Sequence, residues 1–334
     1  MKKILLFIIT LLVPIEIFAY TDTAKSSIVM DIDSGRIIYE KNPDRKRLIA
    51  SITKIMTAII AIENGDLNKK VEVGDDVLKM YGTNIYIEVG EKITLRDLIY
   101  GLLLRSGNDA SVVIAKEIAG SEEKFVELMN SKAKLLGMKN TKFENPHGLD
   151  DDSQNYSTAR DMAILSRYAY KNKVYRKIAS TSKYEVSTGE KTYLWYNRNK
   201  LLNSYKYCTG GKNGYTPSAG KTLVTTAFNN NLNLTVVTLN DNNSYSNHEA
   251  MYKYFFAKYA NYEIVSKKIF KLNKTIYGGN IYIKKSFYYP LSLDELNDVK
   301  TIVNIDYSIS SKRVGKINIY LDDKKIGFVD VYRK

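Results

Sequence analysis

Cysteine is nearly absent: Cys208 is the only one in 334 residues. No intrachain disulfide can form, so the fold has to rest on its apolar core. Histidine is almost as scarce, with only His147 and His248. Those counts exclude a Cys/His metal cage, and no metal or other cofactor is expected. A Ser-His-Asp arrangement survives the count, but no neighbouring residues mark out its partners. The chain carries a net charge of +14, yet it has no arginine-rich helix and no basic motif interleaved with aromatics, so nucleic acid is set aside as a partner. Internal repeats and low-complexity linkers are missing too.

What is present begins with the leader "MKKILLFIITLLVPIEIFAYTD". Two lysines precede an apolar run from Ile4 to Val13 and a short stretch ending in Phe18-Ala19. That is the layout of a secretory signal peptide, cut after Ala19. The run is shorter than the roughly 20 residues that a spanning helix needs. An uncleaved N-terminal anchor is the alternative, and either way the bulk of the chain is exported. In that setting the basic surplus suits anionic envelope polymers or lipid headgroups.

The body of the sequence alternates strand and helix patterns. "SSIVMDIDSGRIIYEKN" reads as a hairpin turning at Asp33-Ser34-Gly35. "IASITKIMTAIIAIENG" is a helix apolar all round, stopped at Asn64-Gly65, and therefore central to its domain. Two further helices are expected in "LRDLIYGLLLRSGNDASVVIAKEIAG", broken at Ser106-Gly107-Asn108, and an amphipathic helix follows with Phe125, Leu128, Met129 and Leu135 on one stripe. Ser157-Thr158 caps the next. "KTLVTTAF" and "LNLTVVTLN" are strands joined by Asn229 to Asn231, and "NHEAMYKYFFAKYANY" closes with a helix. This order implies an α/β domain whose sheet is assembled from both ends of the sequence. Beyond about residue 264 short β runs take over. They finish in a hairpin with Asp322 to Lys325 at its tip, a small all-β domain with no amphipathic membrane helix after it. The expected division is a leader over 1–19, an α/β domain over 20–262 and a β-rich domain over 263–334.

Three groups carry chemistry. "SITK" puts Ser51 three residues before Lys54, on one helix face. A lysine among Ile52, Ile55, Met56 and Ile59 is costly unless its amine has a polar task. "SGN" places Ser106 and Asn108 inside an apolar stretch where an ordinary inter-helix turn is the simplest account. "GGKNGYTPSAG" sets Lys212 among glycines; a phosphate loop would need Ser or Thr after the lysine and a helix beyond, and here Asn213 and strands follow.

Taken in order, S-x-x-K, then S-x-N about 50 residues later, then K-x-G about 100 beyond that make a far more specific pattern. It resembles the serine penicillin-recognising enzymes. "RSGNDAS", "MNSKAKLLGMKNTKFENPHGLD", "STARDMAILS" and "GYTPSAGKTL" narrow the resemblance to the D-alanyl-D-alanine carboxypeptidases, the low-molecular-mass penicillin-binding proteins, over residues 25 to 260. The resemblance implies a transpeptidase-like antiparallel sheet flanked by helices, with a C-terminal β domain. It implies a bacterial envelope location, either periplasmic or on the outer face of the cytoplasmic membrane. It also implies peptidoglycan stem peptides ending in D-Ala-D-Ala as substrate, and β-lactams as ligands. It makes Ser51 the nucleophile, Lys54 its base and Ser106 the proton relay. Asn108, Lys212, Asn213, Gly214, Tyr215 and Thr216 would bind substrate. Of these, Lys212 would meet the terminal carboxylate, and the N–H groups of Ser51 and Tyr215 would form the oxyanion hole. His147 reads as a turn residue beside the site.

One position departs from the family's usual Lys-Thr-Gly: its middle residue here is Asn213, with Thr216 nearby as a possible substitute donor. Two other readings stay open. A serine β-lactamase would need a deacylation base, and no E-x-x-L-N-like element lies between Asn108 and Lys212. A non-catalytic envelope protein that binds wall peptides is disfavoured by intact Ser51, Lys54, Ser106 and Asn108.

Overall fold

The computed structural model describes residues 20–189, 191–271, 280–306 and 311–333. The leader expected over 1–19 lies outside them.

The hairpin at the start of the described chain forms β1 (Ser26–Asp31) and β2 (Ile37–Lys41). Its turn is closed by Asp31, whose carboxylate accepts from the Ser34 N–H and hydroxyl at 2.6 and 2.5 Å, and Gly35 takes the left-handed conformation (φ 81°) that favours glycine. Three late strands complete the sheet: β3 (Cys208–Thr216), β4 (Gly220–Asn229) and β5 (Leu232–Leu239). The order is β2-β1-β5-β4-β3, with every pair antiparallel. The sheet is thus built from both ends of the domain, as the element order implied, and β3 is left at an edge.

Every residue of β1 is buried, the pattern of a strand covered on both faces. On one face Ile28 and Met30 join Ile55, Ile59 and Leu98, under the helix Lys54–Asn64. On the other Val29 joins Met251, Tyr252 and Phe255 of the closing helix Ser244–Lys258. The Lys54–Asn64 helix is buried from Lys54 to Ala61. It forms the axis on which the rest of the helical layer packs.

The helix Glu122–Leu136 corrects the expected stripe. Phe125, Met129 and Ala133 are buried, whereas Leu128 and Leu135 are 40% and 77% exposed. At about 100° per residue, Phe125, Met129 and Ala133 fall on one arc and the two leucines lie well to its side. Leu136, back on that arc, packs against the core.

The second unit starts with the strand Tyr259–Val265, paired with Phe287–Ser292. A five-stranded antiparallel sheet follows, with its own core of Ile283, Val314, Ile319, Val329 and Val331. The final hairpin is tighter than expected. Only Asp322 and Asp323 turn, both at positive φ, while Lys324 and Lys325 already pair with Leu321 and Tyr320. Positive φ at both central residues is the two-residue turn that matches strand twist. Arg36 of β2's turn ties the two units together. Its guanidinium bonds to the Pro290 carbonyl and Glu295 and lies between the rings of Tyr259 and Tyr289, 5.4 and 5.2 Å from their centroids.

Candidate active site

The "SITK" segment folds as a 3₁₀ turn, Ala50–Thr53, that feeds directly into the buried helix at Lys54. Ala50 enters it at φ 49°, a strained value for a residue with a side chain. The turn brings Lys54 Nζ to 3.0 Å from Ser51 Oγ. The ammonium's other two bonds go to Asn108 Oδ1 at 2.7 Å and the His147 carbonyl at 2.5 Å. Asn108 Nδ2 donates to the Tyr81 carbonyl at 2.7 Å, which fixes the amide with its oxygen toward Lys54. Three acceptors account for three protons. Two of them can only accept, so a neutral Lys54 keeps its protons on those and turns its lone pair to Ser51.

The charge state is set by surroundings. Burial holds the Lys54 amine well below the ordinary lysine value. Lys212 and Arg198 push it further down, and Asp109 opposes them. That is the direction a general base needs near neutral pH. Lys212 itself is lowered to about 7, first by burial and then by Arg198. Its one hydrogen bond among the described residues goes to the carbonyl of its own neighbour Asn213, 2.6 Å away. A buried ammonium with a single neutral acceptor is poorly solvated and would gain from an anionic partner.

The SGN turn follows a π-turn, Gly101–Arg105. Ser106 ends it in the left-handed region (φ 70°), and a new helix begins at Asn108. Ser106 is buried. Strand β3 lies along the turn that carries Ser51: a Cβ on Gly214 would stand 2.7 Å from the Ser51 nitrogen. Tyr215 turns its side chain to solvent. Asn213, half-buried, is paired with Leu223, on the opposite sheet face from Lys212 and Val224. Thr216, the expected substitute donor, has its hydroxyl already engaged. Its hydroxyl donates to Asp150 Oδ2 at 2.6 Å and accepts from the Ala219 N–H.

Several contributors went unread in the sequence. The loop after the helix Glu122–Leu136 is gathered by Asn145, whose Oδ1 accepts the N–H groups of His147 and Gly148, and by Asn155, which reaches Thr53 Oγ1 at 3.0 Å. The Asx-rich text "ENPHGLDDDSQN" was the available sign. That loop delivers the His147 carbonyl to Lys54. Its ring is a packing element, as expected: Nδ1 accepts the Leu149 N–H, Nε2 faces Glu122 at 3.6 Å, and burial lowers its pKa. Arg198, exposed and bonded to Thr83 Oγ1, carries no local motif at all. Among the described residues no group of His, Cys, Asp and Glu could hold a metal ion.

Residues 17–243 match the family model described as D-alanyl-D-alanine carboxypeptidase. The chain belongs to the D-alanyl-D-alanine carboxypeptidase family. The D-alanyl-D-alanine carboxypeptidase DacF of Bacillus subtilis is 33% identical over 305 residues, covering 86% of this chain and 78% of that relative. Among solved structures, penicillin binding protein 5 of Haemophilus influenzae aligns with a TM-score of 0.78 at 26% identity, over 94% of this chain and 97% of its own. Penicillin binding protein 6B of Escherichia coli aligns at 0.74 and 27% identity, over 93% and 96%. Both alignments extend past the helical domain, so the family's two-part architecture, with its antiparallel sheet and separate β unit, is shared here.

Proposed function

We propose that this chain is a serine D,D-carboxypeptidase that removes the terminal D-alanine from peptidoglycan stem peptides through an acyl-enzyme on Ser51. The observation that carries the reading is the Lys54 amine, buried among neutral acceptors, depressed in pKa and 3.0 Å from Ser51 Oγ. Lys54 takes the hydroxyl proton as Oγ attacks the penultimate D-alanine carbonyl. The resulting oxyanion is held by the N–H groups of Ser51 and Tyr215. The peptide bond breaks as Lys54 returns that proton through the Ser106 hydroxyl to the departing amine, and free D-alanine leaves with Lys54 neutral again. Water then attacks the ester, giving its proton to Lys54, which passes it to the Ser51 oxygen as the ester bond breaks and so restores both groups. Asn108 orients Lys54 and the substrate backbone, and Lys212, with Arg198 at its side, receives the terminal carboxylate. Gly214 lets β3 approach that backbone closely.

The same site takes β-lactams, because a lactam amide presents the same carbonyl and carboxylate. The chain works in the cell envelope after export by the 1–19 leader. Residues 20–262 make the catalytic domain and 263–334 the β-rich one, with the strand Tyr259–Val265 crossing between them.

Intact-mass measurement with penicillin, alongside assay of D-alanine release from a pentapeptide ending in D-Ala-D-Ala, tests this. A stable adduct absent in Ser51→Ala, together with release, is the expected pair. No adduct at saturating penicillin would sink the proposal. Rapid turnover of the drug would point to a β-lactamase, and an adduct without release would point to a wall-peptide binder.

A further inference from the structure

Beside the acylating pair lies a carboxylate that the reaction does not use. Asp109 follows Asn108 directly and is buried. Its oxygens gather the backbone N–H groups of Ile85 at 3.0 Å, Tyr86 at 2.7 Å and Ile87 at 3.4 Å, and also that of Ala110 at 2.8 Å. Tyr86 sits at φ 62°. Successive N–H groups around a left-handed residue make an anion-binding nest, here filled from within the chain. The strained Tyr86 backbone is held because three donors converge on one carboxylate.

The segment so gripped is the one that orients the lysine's partner. The Tyr81 carbonyl takes Asn108 Nδ2, the Thr83 carbonyl takes the Asn108 N–H at 2.8 Å, and Asn84 Oδ1 takes the Asp109 N–H at 3.2 Å. Asn84 in turn donates to the Met80 carbonyl. Were the 81–87 segment to drift, Asn108 would lose the bond that keeps its oxygen, rather than its NH₂, toward Lys54.

We propose that Asp109 is a positioning residue: by filling the nest at Ile85–Ile87 it locks the 81–87 segment, and through Tyr81 and Asn108 it aims Lys54 at Ser51. The inference rests on the Ser51–Lys54 reading above. Its second arm is electrostatic. Of the charged groups facing Lys54, Lys212 and Arg198 favour the neutral amine and Asp109 the ammonium. His147, on the loop from the other side, is itself held toward its neutral form.

Asp109→Asn replaces one acceptor oxygen by a donor aimed at N–H groups, and Asp109→Glu keeps the charge but displaces it by a methylene. The tests are the rate of penicillin acylation per folded molecule against pH, the melting temperature, and hydrogen exchange at Ile85, Tyr86 and Ile87. For Asp109→Asn we expect acylation to fall about 10- to 100-fold, with those amides losing protection and the acidic limb of the pH–rate profile moving to lower pH. Asp109→Glu should lose rate and protection while keeping the limb in place. Should Asp109→Asn not fold, Asn84→Ala loosens the same segment and should give a smaller loss of both protection and rate. Unchanged protection and unchanged acylation in the folded variants would overturn the proposal, as would a loss of rate explained wholly by unfolded protein. A wild-type chain that never acylates would defeat the Ser51–Lys54 reading instead, while hydrogen exchange would still report on the lock.

Discussion

Gly214 lies against the peptide nitrogen of Ser51. A Cβ added there would stand 2.7 Å from that nitrogen and 2.6 Å from Thr222 Oγ1, whose own proton is held by the Ile49 carbonyl at 2.9 Å. The edge strand and the nucleophile's turn are thus in register through backbone, with no room between them. Gly214→Ala forces β3 away from Ser51 and spoils the N–H pair around the reacting carbonyl. Penicillin acylation should fall about 100-fold or more, the scale of losing one oxyanion donor, with only a modest drop in melting temperature because β3 is an edge. Stopped-flow acylation at wild-type speed would refute it.

Lys212, in its proposed role as partner of the substrate carboxylate, should tie substrate affinity to pH. Its free pKa is about 7, and a bound carboxylate stabilises the ammonium, so the pKa rises in the complex. Affinity for a carboxylate-terminated peptide is therefore full below pH 7. It weakens as pH rises through 7, by at most about tenfold per unit. KM should climb between pH 7 and 9 for the free acid and stay level for the same peptide amidated. Lys212→Arg, charged throughout this range, should flatten the climb. A level KM for the wild type and free acid to pH 9 would remove Lys212 from carboxylate binding.

How much of this was legible depended on whether the information was local. The β1–β2 hairpin, the all-apolar helix after Ser51 and the break at Ser106 are set by neighbours in sequence, and each was read correctly. Ser51 and Lys54 were also readable, because a helical turn fixes their separation. Asn145 and Asn155 were not, since they shape a loop that folds back onto Thr53 and Lys54, 102 and 93 positions earlier, and Asp150 was not, since its partner Thr216 lies 66 positions later. Arg198 acts only through space. The stripe on Glu122–Leu136 failed for a different reason: exposed leucines beside a buried arc cannot be told from buried ones by hydrophobicity alone.

His248 makes the closing helix sensitive to acid. It is fully buried, with Nδ1 2.7 Å from Thr225 Oγ1 and Nε2 3.0 Å from Thr238 Oγ1, and burial lowers its pKa to about 3. The ordinary value is 6.5, so between those limits the unfolded chain binds a proton that the folded chain refuses. Stability is complete above pH 6.5 and falls as pH drops toward 3, with a slope of up to about 1.4 kcal/mol per unit from this group. Denaturant melts at pH 7, 6, 5 and 4 read this slope. His248→Gln should start less stable but lose less on acidification. Equal slopes for the two proteins would show that other groups govern acid unfolding.

Asn213 is where this chain departs from its family's third motif, and the structure narrows what the departure can mean. Thr216, the expected substitute donor, already has its hydroxyl engaged with Asp150 and the Ala219 N–H. The Asn213 carboxamide has no side-chain hydrogen bond among the described residues, and its position on β3 is half-buried at the sheet edge. It is therefore free to turn, but to meet a carboxylate at Lys212, which lies on the opposite face, it has to fold round the free edge of β3, and this immobilises a longer side chain than threonine for one donor. Asn213→Thr should raise kcat/KM for D-alanine release by about tenfold, the equivalent of roughly 1.4 kcal/mol from one hydrogen bond to a charged group. Acylation by penicillin should rise in parallel, since both ligands present the same carboxylate. A fall in both would mean that the asparagine is fitted to its substrate, reaching an acceptor that threonine cannot, and the wild-type stem peptide would then have to differ near its terminal carboxylate from the one assayed.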